Sequence, residues 1–292
     1  MWLLIALVGA LGWAVVHVLD AYCVGKVFQQ PWFGVITSAL CSLPVMLLLP
    51  FVVASWPSCR IIALAVAAGA LIQFSQLFYF RALNHSEAGI VAAYWNIVPA
   101  LLPLMSFVLF HSVLTASQYG GIAVLIMASI ALCLLDGNRQ FRWHSFGLMF
   151  LASILQVAAV LLADAVYQQT SFFGGFLLML TGVVAVGVLP LTVFRVRRAL
   201  WGSREVLVRA APLLLAIELV NVLALCASQR AIDLGIPSLV TAVETTIPGH
   251  VFLLSLMLFT LGHRFGEARV QIGLAKKLVC VAAMIAGVWF VG

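Results

Sequence analysis

The chain has 292 residues, of which 65% are hydrophobic and only 8% charged, and its mean hydropathy is +1.19. These values lie far outside those of soluble globular domains, so they exclude a soluble enzyme or binding module and describe an integral membrane protein. The net charge of +6 gives no reason to expect nucleic acid, because the basic residues are scattered over loops. Their one cluster, "FRVRRALWGSREVLVR", lies between two apolar runs, as membrane-flanking loops do.

A helical span takes about 20 largely apolar residues, and ten such runs follow one another: 1 to 20, 32 to 54, 60 to 82, 87 to 110, 113 to 135, 145 to 166, 171 to 194, 207 to 230, 236 to 261 and 270 to 291. A β-barrel would alternate apolar and polar residues in strands of about ten, and these runs are too long and too uniform for that. The first run is read as span 1 and not as a cleaved signal, because no positive region precedes it and it exceeds a typical signal core. Cys23, Cys41, Cys59, Cys133, Cys226 and Cys280 lie within or at the ends of apolar runs without CxxC spacing. They read as packing residues, with no metal site or disulfide framework. The predicted fold is all-α, with ten transmembrane helices, no soluble domain and no cofactor.

The sequence repeats itself. Shifted by 149 residues, "RALNHSEAGIVAAYWNIVPALLPLMSFVLF" (81 to 110) aligns without a gap on "RAIDLGIPSLVTAVETTIPGHVFLLSLMLF" (230 to 259), with nine identities in thirty positions. The paired Arg81/Arg230 and Ala82/Ala231 and the paired mid-helix Pro99/Pro248 carry most of the weight, since apolar matches are common in membrane proteins. The expected organisation is a first five-helix repeat over 1–136, a connecting loop over 137–144 and a second repeat over 145–292. An odd number of helices per repeat inverts the second copy, which is the architecture of secondary transporters with a site near the midplane.

The stretch "LFYFRALNHSEAGIVAAYWNIVPALLPLMSFVLF", followed by "TASQYGGIAVLIMASIALCL", resembles the EamA-type repeat of the drug/metabolite transporter superfamily. There an aromatic, Ala-containing helix end leads through a tight turn into a Pro-containing helix. A second copy runs from Leu223 to Val291, so the resemblance to the duplicated ten-helix form covers essentially the whole chain. It implies a carrier of small metabolites, in a family whose substrates include amino acids, nucleotide sugars and drugs, moved in either direction. The family's usual Gly-Glu pair after helices 4 and 9 is replaced here by "FHSVL" (Phe110 to Leu114) and "GHRF" (Gly262 to Phe265). No role of that Glu carries over.

Thirteen of the fifteen Lys and Arg residues fall in loops after odd-numbered spans, and only Arg60 and Arg230 fall on the other face. The positive-inside rule then places both termini outside, in a multi-pass protein expected in a bacterial inner (plasma) membrane. Chains of this superfamily are often drawn the other way round.

Carboxylates at a helix centre cost roughly 2.5 to 3.5 kcal/mol on insertion scales, so they tend to face the bundle interior and to be functional. Glu218 in span 8 and Glu244 in span 9 qualify, with Asp20 and Asp164 near the ends of spans 1 and 6. No Lys or Arg is expected deep in a span. Helical spacing puts Thr241, Glu244, Thr245 and Pro248 on one stripe, and Ala92, Trp95, Asn96 and Pro99 on the matching stripe of span 4, with Tyr94 beside it. Span 8 aligns Glu218, Asn221, Leu225 and Ser228; span 3 offers Gln73, Gln76 and Phe80; span 1 offers Trp13, His17 and Asp20; and span 6 offers Gln156 and Asp164. Pro99 and Pro248 read as helix kinks. A polar and aromatic cavity between the repeats follows.

Acids, aromatics and no deep base favour a small amine-bearing, cationic or zwitterionic metabolite, because ring faces attract ammonium groups. In this reading Glu244 is the charge partner and Trp95 and Tyr94 the aromatic wall. Gln73, Gln76, Asn96 and Asn221 orient the ligand, and Glu218, Thr241, Thr245, Trp13 and His17 complete the substrate-binding set. Burial favours the neutral form of a carboxyl group, so Glu244, Glu218, Asp20 and Asp164 are also the candidates for proton coupling. The chain lacks a Walker sequence, a G-x-S-x-G elbow and an H-E-x-x-H pair, and is expected not to be an enzyme. A lipid-headgroup flippase is the nearer alternative, and a non-transporting receptor or assembly subunit and an intramembrane enzyme the remoter ones. The expected partners are a small-molecule substrate and the lipid bilayer, without nucleic acid, for a monomer or homodimer.

Overall fold

The computed structural model describes residues 1–23, 27, 30–53, 56–86, 88–136, 143–260 and 273–292. Positions 137–142 of the predicted connecting loop and the "GHRF" stretch lie outside the described residues, as do Lys26, Arg139, Arg142, Arg264 and Arg269.

An apolar environment offers backbone groups no water, so each segment must satisfy its own hydrogen bonds. All regular structure among the described residues is helical, and ten helices or helix pairs are long and apolar enough to cross a membrane. In chain order these are α1 (Trp2–Cys23), α2 (Pro31–Met46) with the short α3 (Leu49–Val52), α4 (Cys59–Leu83), α5 (Ala88–Trp95) with α6 (Ile97–Phe110), and α7 (Ala116–Asp136). They continue as α8 (Trp143–Tyr167), α9 (Phe172–Val188) with a 3-10 turn at Leu189–Thr192, α11 (Arg204–Leu234), α12 (Pro237–Glu244) with α13 (Ile247–Thr260), and α14 (Leu274–Val291). Between α9 and α11 lies α10 (Phe194–Gly202), which holds no buried residue and carries Arg195, Arg197 and Arg198 of the basic cluster.

Two of the segmented spans break at matching positions. α5 ends at Trp95 and α12 at Glu244, which are 149 residues apart in sequence, as are Pro99 and Pro248. Proline has no N–H to donate to the carbonyl four residues earlier. Pro99 therefore withholds a bond from the Trp95 carbonyl, and Pro248 from that of Glu244. The side chains at the breaks turn back on the preceding helix: Asn96 Nδ2 donates to the Ala93 carbonyl at 3.1 Å and Thr245 Oγ1 to the Ala242 carbonyl at 2.7 Å. The predicted kinks are thus breaks of the α-helix.

Helices in lipid associate through close packing, which small residues permit. α1 lies antiparallel to α11, with Gly9 against Ser228 and Gly12 against Ala224; a Cβ on either glycine would come within 2.8 Å of its neighbour. α4 packs along α9 through Gly69 and Gly182, where a Cβ would overlap the carbonyl oxygens of Met179 and Val66 respectively. α4 also packs on α8, and α7 on α14. These pairs leave α1, α4, α8, α11 and the two broken spans around a common centre.

One cation that the sequence reading assigns to a loop is buried at a helix end. Lys277, in the first turn of α14, is fully buried, its ammonium 5.6 Å from the centre of the Phe252 ring on α13. An aromatic face can accept a buried ammonium.

Candidate functional site

The centre of the bundle holds a cavity of about 960 Å³, open space included. Its lining comes from α1 (Trp13, Val16, His17, Asp20), α2 (Gly34, Val35, Ser38), α4 (Ile72, Gln76, Tyr79, Phe80), α8 (Gln156, Val160), α11 (Ile217 to Ile232 on one face), and the break residues Trp95, Glu244 and Ile247. A second lobe of about 430 Å³ lies between the two broken spans and shares His17, Trp95, Gln156, Glu244 and Ile247 with the first. It adds Ala92, Asn96, Val98 and Pro99 from one broken span and Thr241, Thr245 and Pro248 from the other.

The stripes predicted from helical spacing therefore converge. Thr241, Glu244, Thr245 and Pro248 line the second lobe together with Trp95, Asn96 and Pro99. Glu218, Asn221, Leu225 and Ser228 line the first, as do Trp13, His17 and Asp20. Three predicted residues lie elsewhere. Gln73 is 1% exposed and its Nε2 donates to the Val35 carbonyl at 2.7 Å, joining α4 to α2. Tyr94, one residue and about 100° of helix from Trp95, meets Phe146 on α8 edge-on at 5.4 Å. Asp164, two turns beyond Gln156, accepts a 3.0 Å hydrogen bond from Gln168 Nε2 in its own helix end.

Two local networks order the first lobe. In one, Trp13 Nε1 donates to Ser228 Oγ at 2.9 Å, and the Ser228 hydroxyl is in turn within hydrogen-bonding reach of Glu244. The indole, hydroxyl and carboxylate form a chain from α1 through α11 to α12. In the other, Asn221 Nδ2 donates to Glu218 Oε2 at 2.8 Å and to Ser38 Oγ at 3.3 Å, while Thr37 Oγ1 lies 3.5 Å from Glu218 Oε1. Glu218 is 6% exposed and Asp20 7%, and the two are near enough to repel each other when both are ionised.

Between these networks stands an aromatic wall. His17 Nδ1 lies 2.6 Å from the Tyr79 hydroxyl, and the Tyr79 ring meets Trp95 edge-on at 5.9 Å and Phe80 at 5.3 Å. Ser75 Oγ, behind the wall, donates to Gln156 Oε1 at 3.2 Å, and Tyr167 donates to Gln229 Oε1 at 3.0 Å. The charged groups among the described lining residues are Asp20, Glu218 and Glu244, with His17 as the one imidazole and no Lys or Arg.

Sequence reasoning did not single out Tyr79, Ser38 or Gln229 as lining residues. Tyr79 carries a usable signal, since it follows Gln76 by three positions and so shares its face. Ser38 and Thr37 sit alone in an apolar run, and only the approach of α11 makes them partners of Glu218.

No family model matches the chain, and no curated protein matches it. Among solved structures, 29 chains match. One of them, described only as "Crystal structure of protein", superposes with a TM-score of 0.65 at 13% identity, over 96% of this chain and 98% of that one. At this identity the likeness concerns the fold alone.

Proposed function

We propose that the chain is a secondary transporter that moves a small amine-bearing metabolite, cationic or zwitterionic, across the plasma membrane by alternating access. The observation that carries this reading is a cavity whose charged groups among the described residues are the three acids Asp20, Glu218 and Glu244, without Lys or Arg, walled by Trp13, Tyr79 and Trp95. Carboxylates offset the charge of an ammonium group, and indole and phenol faces attract it.

The matching breaks at Trp95 and Glu244 support an inverted pair of five-helix repeats, the second entering the membrane opposite to the first. In such carriers the site lies at discontinuous helices near the midplane, and one repeat rocks against the other around it. The motif resemblance to the EamA-type repeat of the drug/metabolite transporter superfamily supports the same reading. Glu244 is the main charge partner for the amine, Trp95 and Trp13 stack on it, and Gln76, Asn96 and Asn221 orient it. Glu218 and Asp20 are the further carboxyls available for substrate or proton exchange.

The test is counterflow in proteoliposomes at two pH values, with a labelled panel of amines, amino acids and nucleotide sugars. Uptake that overshoots for amines and fails in Glu244→Gln supports the reading. Uptake of nucleotide sugars but not amines overturns it.

A further inference from the structure

The carboxyls of the cavity are not gathered at one point. Glu244 meets Ser228, and Ser228 meets Trp13. Glu218 lies ten residues before Ser228 in the unbroken α11, and Asp20 seven residues after Trp13 in α1. At about 1.5 Å of rise per residue, that separates the backbone levels by roughly 15 Å along α11 and roughly 10 Å along α1, with the side chains bridging part of each interval. α1 runs antiparallel to α11 with Gly9 against Ser228, so Asp20 stands near the level of Glu218, and the Trp13 indole reaches back toward Ser228. His17 and Tyr79 lie between the two levels.

The Asp20–Glu218 level has an unanswered demand. Glu218 is held by Asn221 and Thr37, but no donor among the described residues hydrogen-bonds Asp20, although Asp20 is 93% buried by the same measure that leaves it 7% exposed. It lines the cavity, and the other charged groups among the described lining residues are acids. Two buried carboxyls in one part of a cavity are costly unless a cation joins them. Among the described lining residues no Lys or Arg does so.

Resting on the reading of a carrier for amines, we infer that the substrate is a linear dication of the α,ω-diamine class. One ammonium group sits at Glu244 and the other between Asp20 and Glu218. The methylene chain between them runs along the Tyr79 and Trp95 rings. A zwitterion long enough to reach both levels is disfavoured, since its carboxylate would meet Asp20 and Glu218.

The experiment measures competition against uptake of a labelled diamine in proteoliposomes, using α,ω-diamines of increasing length and, for each, its mono-N-acetyl derivative, in which one ammonium becomes a neutral amide of similar size. The expected result is an optimum at members whose nitrogens lie about 10 Å apart, with the diamine competing roughly tenfold or more better than its monoacetyl form, as linked two-point binding requires. Asp20→Asn and Glu218→Gln should each shrink that advantage, bringing the diamine toward its monoacetyl form. The wild-type length series stands without them should either variant fail to fold. Equal competition by diamine and monoacetyl forms overturns the dication and leaves the amine carrier in place. No competition by any amine overturns both.

Discussion

Trp95 and Glu244 each end the first segment of a broken helix, 149 residues apart, and both face the same cavity from opposite broken spans. One position of the repeated pattern thus presents an indole and its counterpart a carboxylate. An ammonium group between them meets a ring face and a counter-charge at once.

Glu244→Gln keeps the shape of the side chain and its contact with Ser228 but removes the charge. The apparent affinity for an amine should fall by roughly tenfold or more, about 1.4 kcal/mol or beyond. Glu244→Asp should retain a measurable part of it. Competition curves in proteoliposomes check this, and an unchanged affinity in Glu244→Gln would remove the residue from the site.

In the proposed carrier, protons and ammonium groups compete for the same carboxyls. Protonation removes the negative charge that holds the cation, so amine affinity should fall as pH falls. The sign is opposite for a substrate that is itself an anion. A pH series of binding measured by scintillation proximity distinguishes the two, and Glu218→Gln should flatten the curve where that carboxyl contributes.

Gly182 lies where a Cβ would overlap the Val66 carbonyl, and Gly69 where it would overlap that of Met179. Backbone cannot yield as a flexible side chain can. Gly182→Val should force α4 and α9 apart and destabilise the fold by about 1–3 kcal/mol or more, read as a lowered unfolding temperature in detergent. Gly147, with nothing near its Cβ position, is the matched control, and Gly147→Ala should leave the transition in place.

His111 follows α6 at φ 53, in the left-handed region, as its C-cap. A β-branched residue there meets the steric conflict that left-handed backbone imposes, so His111→Val should cost about 1–2 kcal/mol. His111→Gly should be neutral or slightly stabilising, because glycine enters that region freely. Thermal unfolding of the two variants gives the order.

Much of the architecture was legible because lipid imposes a simple rule: spans must be long and apolar, and polar residues inside them must face inward. The stripes of α1, α11 and the broken spans follow from that rule and the 3.6-residue period. What the period leaves open is where the edge of the inward face falls. Tyr94 and Trp95 are neighbours in sequence, and only the packing of α5 against α8 directs Tyr94 to Phe146. Gln73 and Gln76 share a face by spacing, yet Gln73 stands where α2 and α9 close over it and spends its amide on the Val35 carbonyl. Asp164 lies at the end of its helix, beyond the level at which α8 borders the cavity. The buried Lys277 escaped notice for the converse reason, since its partner ring comes from another span.

Counterflow tests the central claim most directly. Vesicles preloaded with an unlabelled diamine and diluted into labelled diamine should show a transient overshoot, and Glu244→Gln vesicles of equal protein content should show none. No overshoot with any amine, or a full overshoot in Glu244→Gln, would contradict an amine carrier built around this cavity.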